Sequence, residues 1–507
     1  MNKTRPLAIS SITNTILFGL YSILVVVRTG FYVREYGPSA NGAIQVSAQI
    51  FMYLTLLESG FTSAYLYHMY KPFVSRQWDK LKGYHQGLTL AMRKVSLKML
   101  IILVGISFIY PRFIEGGSVD AVYVGLVVLL TGIRSILPYF FSVATKNLLS
   151  VYNKKYIADI IDGVVDIATI TLQIVLCGVF HWDILTILLS AILMYIIAIV
   201  AYRLAEARIC VNMPIINVAA LPVNKTMTND IFVHKVSGLI YSSTDSVLLS
   251  ILSTLNNVTV YGAYKMIISF PSQLIAKVAD GVRPIMGKLL IMDKISAKAF
   301  YEQLLSVVYF VALVIGPLFF IFSSSFVSVW LGPQYTLNTI SVAMLTCISV
   351  GSVILQIIYI TRDGLGLYGL SKWFTLSQAL VNLLLSIILL PIFGVTGIIA
   401  GSFVSMFFIA IPFNSRLVNI SVFQKNLRVY RNTLLISFYS VAVGILAISI
   451  DGLMSSASGS LWGLVKNVVV VLPILGVMAF VVSIFNPHFK LLFKHFLCKM
   501  IVYGPKK

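Results

Sequence analysis

Four cationic side chains, Arg28, Arg34, Arg134 and Lys265, stand in or beside segments that are otherwise apolar. Arginine presents a planar fork that meets phosphate at two points, and lysine supplies a compact point charge, so such a set suits a phosphate or pyrophosphate ligand. Lys265 shares a helical stripe with Tyr261, Ser269 and Ser272, at spacings of three or four that would make one face polar and positive. A second use of the same charges competes: Arg28, Arg34 and Lys265 fall near helix ends, where long cationic side chains reach out to headgroups. It does not serve Arg134, which falls mid-segment.

Carboxylates are scarcer still. Asp159, Asp162 and Asp166 fall on one side of a helix, since each residue adds about 100°. Asp159 reads as an interfacial partner of Lys154-Lys155, whereas Asp162 and Asp166 are deeper and suit proton or cation exchange. Glu58 reads either as a hydrogen-bonded structural carboxylate or as a gating residue. Asp245, in Tyr241-Ser-Ser-Thr-Asp-Ser246, comes to the same depth as Asn382 in the stripe Gln378, Asn382, Ser386. Oxygens from Asp245, Asn382 and Ser402 would suit a hard cation such as Na+. Interhelical hydrogen bonding, worth about 0.6 kcal/mol per contact, is the other use for these groups. Ion coupling or gating is thus expected of Glu58, Asp162, Asp166, Asp245, Asn382 and Ser386, with H+ or Na+ as the coupling ion and no organic cofactor.

These charges are exceptional because the chain is oily. Of 507 residues 58% are hydrophobic and 11% charged, less than half the charge of ordinary soluble domains. The four cysteines are scattered, with no C-x-x-C spacing, which gives neither a disulfide framework nor a zinc site. Apolar runs of about 20 residues, each enough to cross a bilayer core of about 30 Å, predict helices at 10–28, 42–68, 97–114, 120–145, 156–179, 184–204, 236–255, 258–279, 303–324, 338–361, 373–391, 395–413, 432–451 and 463–485. An all-α membrane protein of about fourteen spans is expected.

The net charge of +21 would suggest nucleic acid in a soluble chain. Here its distribution decides otherwise. With a cytoplasmic N-terminus, every Lys and Arg falls on the cytoplasmic side except Arg28, Arg34, Arg112 and Lys466 on the outer side and Arg134 and Lys265 inside helices. The positive-inside rule then places both termini in the cytoplasm, and no nucleic-acid partner is implied. The first apolar run is too long for a signal-peptide core and lacks a small-residue cleavage site, so it reads as a retained helix. Outer loops of two or three residues, such as Asn256-Asn257, leave no room for an extracytoplasmic catalytic domain, and no P-loop pattern supplies an ATPase.

Asn41-Gly42-Ala43 aligns with Tyr261-Gly262-Ala263, each opening the second helix of its half, as in transporters built from parallel repeats. The expected division is an N-terminal lobe at 1–205, a cytoplasmic linker at 206–235, a C-terminal lobe at 236–413, and two extra helices with a basic tail at 414–507. Gly394, Gly397 and Gly401 read as close helix packing, and Trp330-Leu-Gly-Pro-Gln-Tyr335 as an interfacial aromatic anchor.

Thr244-Asp-Ser-Val-Leu-Leu-Ser250, Tyr261-Gly-Ala-Tyr264, Val329-Trp-Leu-Gly-Pro-Gln-Tyr335, Asp363-Gly-Leu-Gly366, Asn382-Leu-Leu-Leu-Ser386, Gly394-Val-Thr-Gly-Ile-Ile-Ala-Gly401 and Leu57-Glu-Ser-Gly60 occur in an order and spacing that covers nearly the whole chain. That pattern resembles the polysaccharide transporter (Wzx-type) branch of the multidrug/oligosaccharidyl-lipid/polysaccharide exporter superfamily. The resemblance implies two six-helix lobes in a V-shaped arrangement, in a bacterial cytoplasmic membrane. It also implies a non-enzymatic flippase that moves undecaprenyl-pyrophosphate-linked oligosaccharide to the outer leaflet by alternating access, for capsule, O-antigen or exopolysaccharide synthesis. Membrane lipids and polysaccharide polymerase and assembly proteins would be its partners. In the lipid II branch, arginines hold the pyrophosphate and a cation sits between helices seven, eleven and twelve; Ser386 stands here where that branch has an acid. A drug or cation antiporter of the same superfamily is the main alternative, and a membrane polysaccharide polymerase or ligase a weaker one.

Overall fold

The computed structural model describes residues 4–58, 60–114, 120–152, 154–209, 219–222, 229–364, 368–421, 423, 428–449 and 461–484. Half of the expected linker, Gly366 of the Asp363-Gly-Leu-Gly pattern and the basic tail lie outside them.

Among the described residues the chain is helical, with no strand. The first part runs α1 (Thr4–Leu54), α2 (Phe61–Val74), α3 (Trp78–Ile109), α4 (Ala121–Phe141), α5 (Val143–Val151), α6 (Lys155–Gly178), α7 (Ile184–Ile209) and α8 (Asn229–Leu252). There follow α9 (Leu255–Met292), α10 (Lys294–Trp330), α11 (Thr339–Gly364), α12 (Tyr368–Phe393), α13 (Val395–Ser405), α14 (Ile411–Ser421), α15 (Val429–Ser449) and α16 (Leu461–Ile484).

Local chemistry sets the breaks. Within α1, Gly37 takes φ 80° and ψ 166° just before Pro38, a backbone region open to glycine, and Pro38 brings no N–H. One continuous run thereby breaks between the segments expected at 10–28 and 42–68, and the second of these is divided again after Leu54. A 3-10 turn at Thr55–Glu58 separates α1 from α2. Asp120 caps α4 by accepting from the Val122 amide at 3.2 Å, and Asp293 caps α10 from Ile295 at 2.9 Å. A π-helical turn at Met406–Ala410 joins α13 to α14. Pro412 follows it, with no amide hydrogen to continue the ladder.

Among the described residues ten helical stretches are long and apolar enough to cross a membrane, including Thr13–Glu58, Lys294–Trp330 and Trp462–Ile484. The count is lower than fourteen for physical reasons. The first stretch contains two of the expected segments, and α3 and α9 carry several charges. Within α8 the described stretch Ser243–Leu252 is apolar but short. Large apolar side chains cover the outside: Phe438 is 75% exposed and Trp462 79%. Water would not tolerate so much of this surface, whereas hydrocarbon does. The protein is a multi-pass membrane protein.

The described residues fall into two compact units, one reaching Gly262 and including Leu390–Val395, the other Ala263–Leu389 with the residues from Thr396 on. In the first, α6 packs on α1 and α7, α4 on α1, α3 and α7, and α8 on α1. In the second, α10 is the central helix and carries α11, α15 and α16.

Candidate functional site

The polar groups of the first unit converge on α6. Asp159, Asp162, Asp166 and Gln173 follow one another at three, four and seven residues, so they form a single stripe along the helix. Asn14 of α1 donates to Asp159 Oδ2 at 2.9 Å. Lys146 Nζ of α5 meets Asp162 Oδ2 at 2.7 Å, and Arg134 Nη2 of α4 meets Asp166 Oδ1 at 2.9 Å. Farther along, Arg28 Nη1 of α1 donates to Gln173 Oε1 at 3.1 Å.

Tyrosines of α7 back this column. Tyr202 Oη donates toward Asp162 Oδ1 at 2.8 Å and the Ala158 carbonyl at 3.1 Å. The Arg134 guanidinium lies 4.6 Å from the Tyr195 ring centre, and Arg28 lies 5.4 Å from that of Tyr32. The rings stay in place because Tyr195 and Tyr202 belong to an apolar cluster with Leu149, Ala158, Val165 and Ala198. The α6 helix thus has an apolar edge, Ala158 and Val165, beside its charged stripe.

Two of the four expected cations, Arg28 and Arg134, stand together in this column with Asp162 and Asp166. Arg34 is exposed near the Gly37–Pro38 break, and Lys265 is half-buried on α9 in the other unit. On the Lys265 stripe, Ser269 and Ser272 donate to carbonyls of their own helix, at Met266 and Ser269. Tyr261 is turned inward and bonds Asp245, which is 1% exposed. Glu58, buried at the break before α2, accepts from Thr62.

In the second unit Asn382 Nδ2 donates to Ser402 Oγ at 2.9 Å. Asn382 and Ser386 are fully buried, and the Asn382 Oδ1 and Ser386 Oγ atoms have no hydrogen-bond partner. A Cβ on Gly401 would come within 2.9 Å of Ser386 Oγ, so the glycine allows α13 to approach α12. These are neutral oxygen donors of the kind a hard cation accepts. Among the described residues, no three His, Cys, Asp or Glu side chains gather into a metal site.

Sequence reasoning passed over Lys146, Gln173, Tyr195 and Tyr202. Lys146 falls just past the apolar segment expected at 120–145; the backbone reorganises at Ser142 and starts α5, which carries Lys146 to Asp162. The spacing of Gln173 from Asp166, and of Tyr202 from Tyr195, each seven residues, was the available signal.

No protein-family profile matches the sequence, and no curated protein does. Solved structures match over almost the whole chain. The lipid II flippase MurJ in an inward closed conformation aligns with a TM-score of 0.67 at 13% identity, covering 96% of this chain and 100% of that one. A multidrug resistance MATE family transporter of the MOP superfamily, inward-facing, gives 0.59 at 13% identity, covering 87% and 98%. An outward-facing MATE transporter of that superfamily gives 0.57 at 12% identity, covering 89% and 96%. The chain has the MATE/MurJ transporter fold. At such identities the likeness establishes architecture, and the cargo has to be argued from the residues.

Proposed function

We propose that this protein is a flippase of the Wzx type, moving an undecaprenyl-pyrophosphate-linked oligosaccharide from the inner to the outer leaflet by alternating access. Capsule, O-antigen or exopolysaccharide assembly would use the product, with a polysaccharide polymerase and assembly proteins as partners. The observation that carries this reading is Arg28, a half-buried cation whose polar partner is the neutral amide of Gln173. A diphosphate taken bare into hydrocarbon would be far more costly than one met by guanidinium groups. Arg134 of α4 faces the same α6 stripe, and Arg34, Lys265 and Tyr261 complete the proposed contacts to pyrophosphate and sugar.

The proposed setting is a bacterial plasma membrane with both termini cytoplasmic, as the basic-loop asymmetry indicates. Coupling to H+ or Na+ is assigned to Glu58, Asp162, Asp166, Asp245, Asn382 and Ser386, with Ser402 as a further sodium ligand. The test is complementation of a strain lacking its own exporter. Wild type should restore surface polysaccharide and the Arg28→Ala, Arg134→Ala double variant should not; full restoration by that variant defeats the assignment.

A drug or cation antiporter is the second reading, because carboxylates share the column and several matching structures are multidrug transporters. Accumulation of a cationic dye in cells, changed by expression of this chain, would favour it.

A further inference from the structure

The three cations that meet the α6 stripe, Lys146, Arg134 and Arg28, differ in what they face. On the orientation proposed above, α6 begins at the cytoplasmic side, and Asp159 to Gln173 climbs about 21 Å at 1.5 Å per residue, most of a hydrocarbon core of about 30 Å. Lys146 is closed by Asp162 and Arg134 by Asp166. Arg28, on the outermost rung, meets the amide of Gln173, and its buried Nε has no hydrogen-bond partner. From the Lys146 rung outward, charge along the column therefore passes from balanced, through balanced, to positive.

The two ion pairs are not sealed. Side-chain exposure is 29% and 37% for Lys146 and Asp162, and 21% and 42% for Arg134 and Asp166. Each cation therefore keeps surface that its carboxylate does not cover. Pairs built only for stability would be better replaced by apolar residues in this setting, and bare cations on every rung would hold a diphosphate too tightly to release it.

We infer that Asp162 and Asp166 are exchangeable counter-ions: the diphosphate of the cargo displaces them in turn from Lys146 and Arg134 and comes to rest against Arg28 and Gln173. Each carboxylate closes back on its cation as the cargo moves on, which keeps affinity moderate at every depth. This rests on the reading that the cargo carries a diphosphate. It adds that the acids on α6 oppose binding, acting as positioning residues whose removal strengthens it.

Inorganic pyrophosphate binding to the purified full-length protein, measured by calorimetry, tests this. Asp166→Asn should tighten binding by about fivefold, the scale of one partly exposed ion pair, and Asp162→Asn should do likewise. The gain should vanish in Asp166→Asn, Arg134→Ala and in Asp162→Asn, Lys146→Met. If both Asp→Asn variants bind no tighter while Arg28→Ala still weakens binding, the exchange is overturned and the cargo reading stands. If none of these variants, Arg28→Ala included, alters pyrophosphate affinity, the cargo reading falls as well. Should Asp166→Asn not fold, Asp162→Asn examines the other rung independently.

Discussion

Tyr261 donates its phenolic hydrogen to Asp245 Oδ2 across 2.7 Å, tying the start of α9 to the interior of α8. Both residues belong to the first unit and both are buried, at 5% and 1% exposure. Nearby, Asn41 donates to Thr259, and Thr259 donates to the Pro38 carbonyl. The first turns of α9 are thereby fastened to α1 just past its break.

Tyr261→Phe should cost about 1–3 kcal/mol, the usual range when a buried acceptor loses its donor. Adding Asp245→Asn should recover part of it, because the carboxylate's demand is gone. Thermal unfolding in detergent of both single variants and the double variant checks this; strictly additive losses would show that the pair is not coupled.

His85 provides a pH dependence outside the spanning segments. It is buried on the first turns of α3, before the apolar run expected at 97–114, with Nε2 3.1 Å from Glu206 Oε1. Burial, opposed by Glu206 and aided by Arg203, lowers its pKa below the ordinary 6.5. The unfolded chain therefore takes up the proton first, so this residue's share of stability is complete above pH 6.5 and declines as pH falls below it. The unfolding temperature of wild type should drop from pH 7 to pH 5 by more than that of His85→Gln.

Glycine substitutions should divide sharply by what an added methyl would meet. At Gly42 it would lie 2.1 Å from the Leu255 carbonyl oxygen, a backbone atom that cannot yield locally. Gly42→Ala should cost about 1–3 kcal/mol or more. At Gly262 the obstacle is the amide end of the Gln45 side chain, which can rotate away, and at Gly105 the space is open. Gly262→Ala should be mild, and Gly105→Ala neutral or stabilising by up to about 1 kcal/mol. Unfolding temperatures rank the three.

Arg28→Lys is expected to keep only part of transport. Lysine preserves the charge, but it lacks the fork that reaches the Gln173 amide and the plane that lies against Tyr32. Complementation should rank wild type above Arg28→Lys and Arg28→Lys above Arg28→Gln. Equal restoration by all three would mean that neither fork nor charge is needed there.

Helical segments were readable from the sequence because hydrocarbon demands long apolar runs, and the α6 stripe because 3.6-residue periodicity fixes which acids align. Partners were less readable. A lysine at the end of an apolar segment reads as solvated, yet the short α5 after Ser142 turns Lys146 to Asp162. Tyr195 and Tyr202 look like core aromatics, and so they are, except that a hydroxyl of one reaches Asp162 and the ring of the other lies against Arg134. The association of α8 with α1 depends on contacts across some two hundred residues, Tyr53 to Thr244 among them, which no local pattern encodes.

The wide turn at Met406–Ala410 has a consequence for how this helix can vary. A turn with an extra residue advances every later side chain by about 100° around the axis, and Asn414 reaches both the Ala410 carbonyl, at 2.8 Å, and Arg362, at 3.3 Å, from that rotated position. Losing one residue between 406 and 410 would shorten the span by only about 1.5 Å, yet it would swing Asn414 away from Arg362. Length polymorphism, more than residue exchange, is the kind of drift this stretch is least able to absorb.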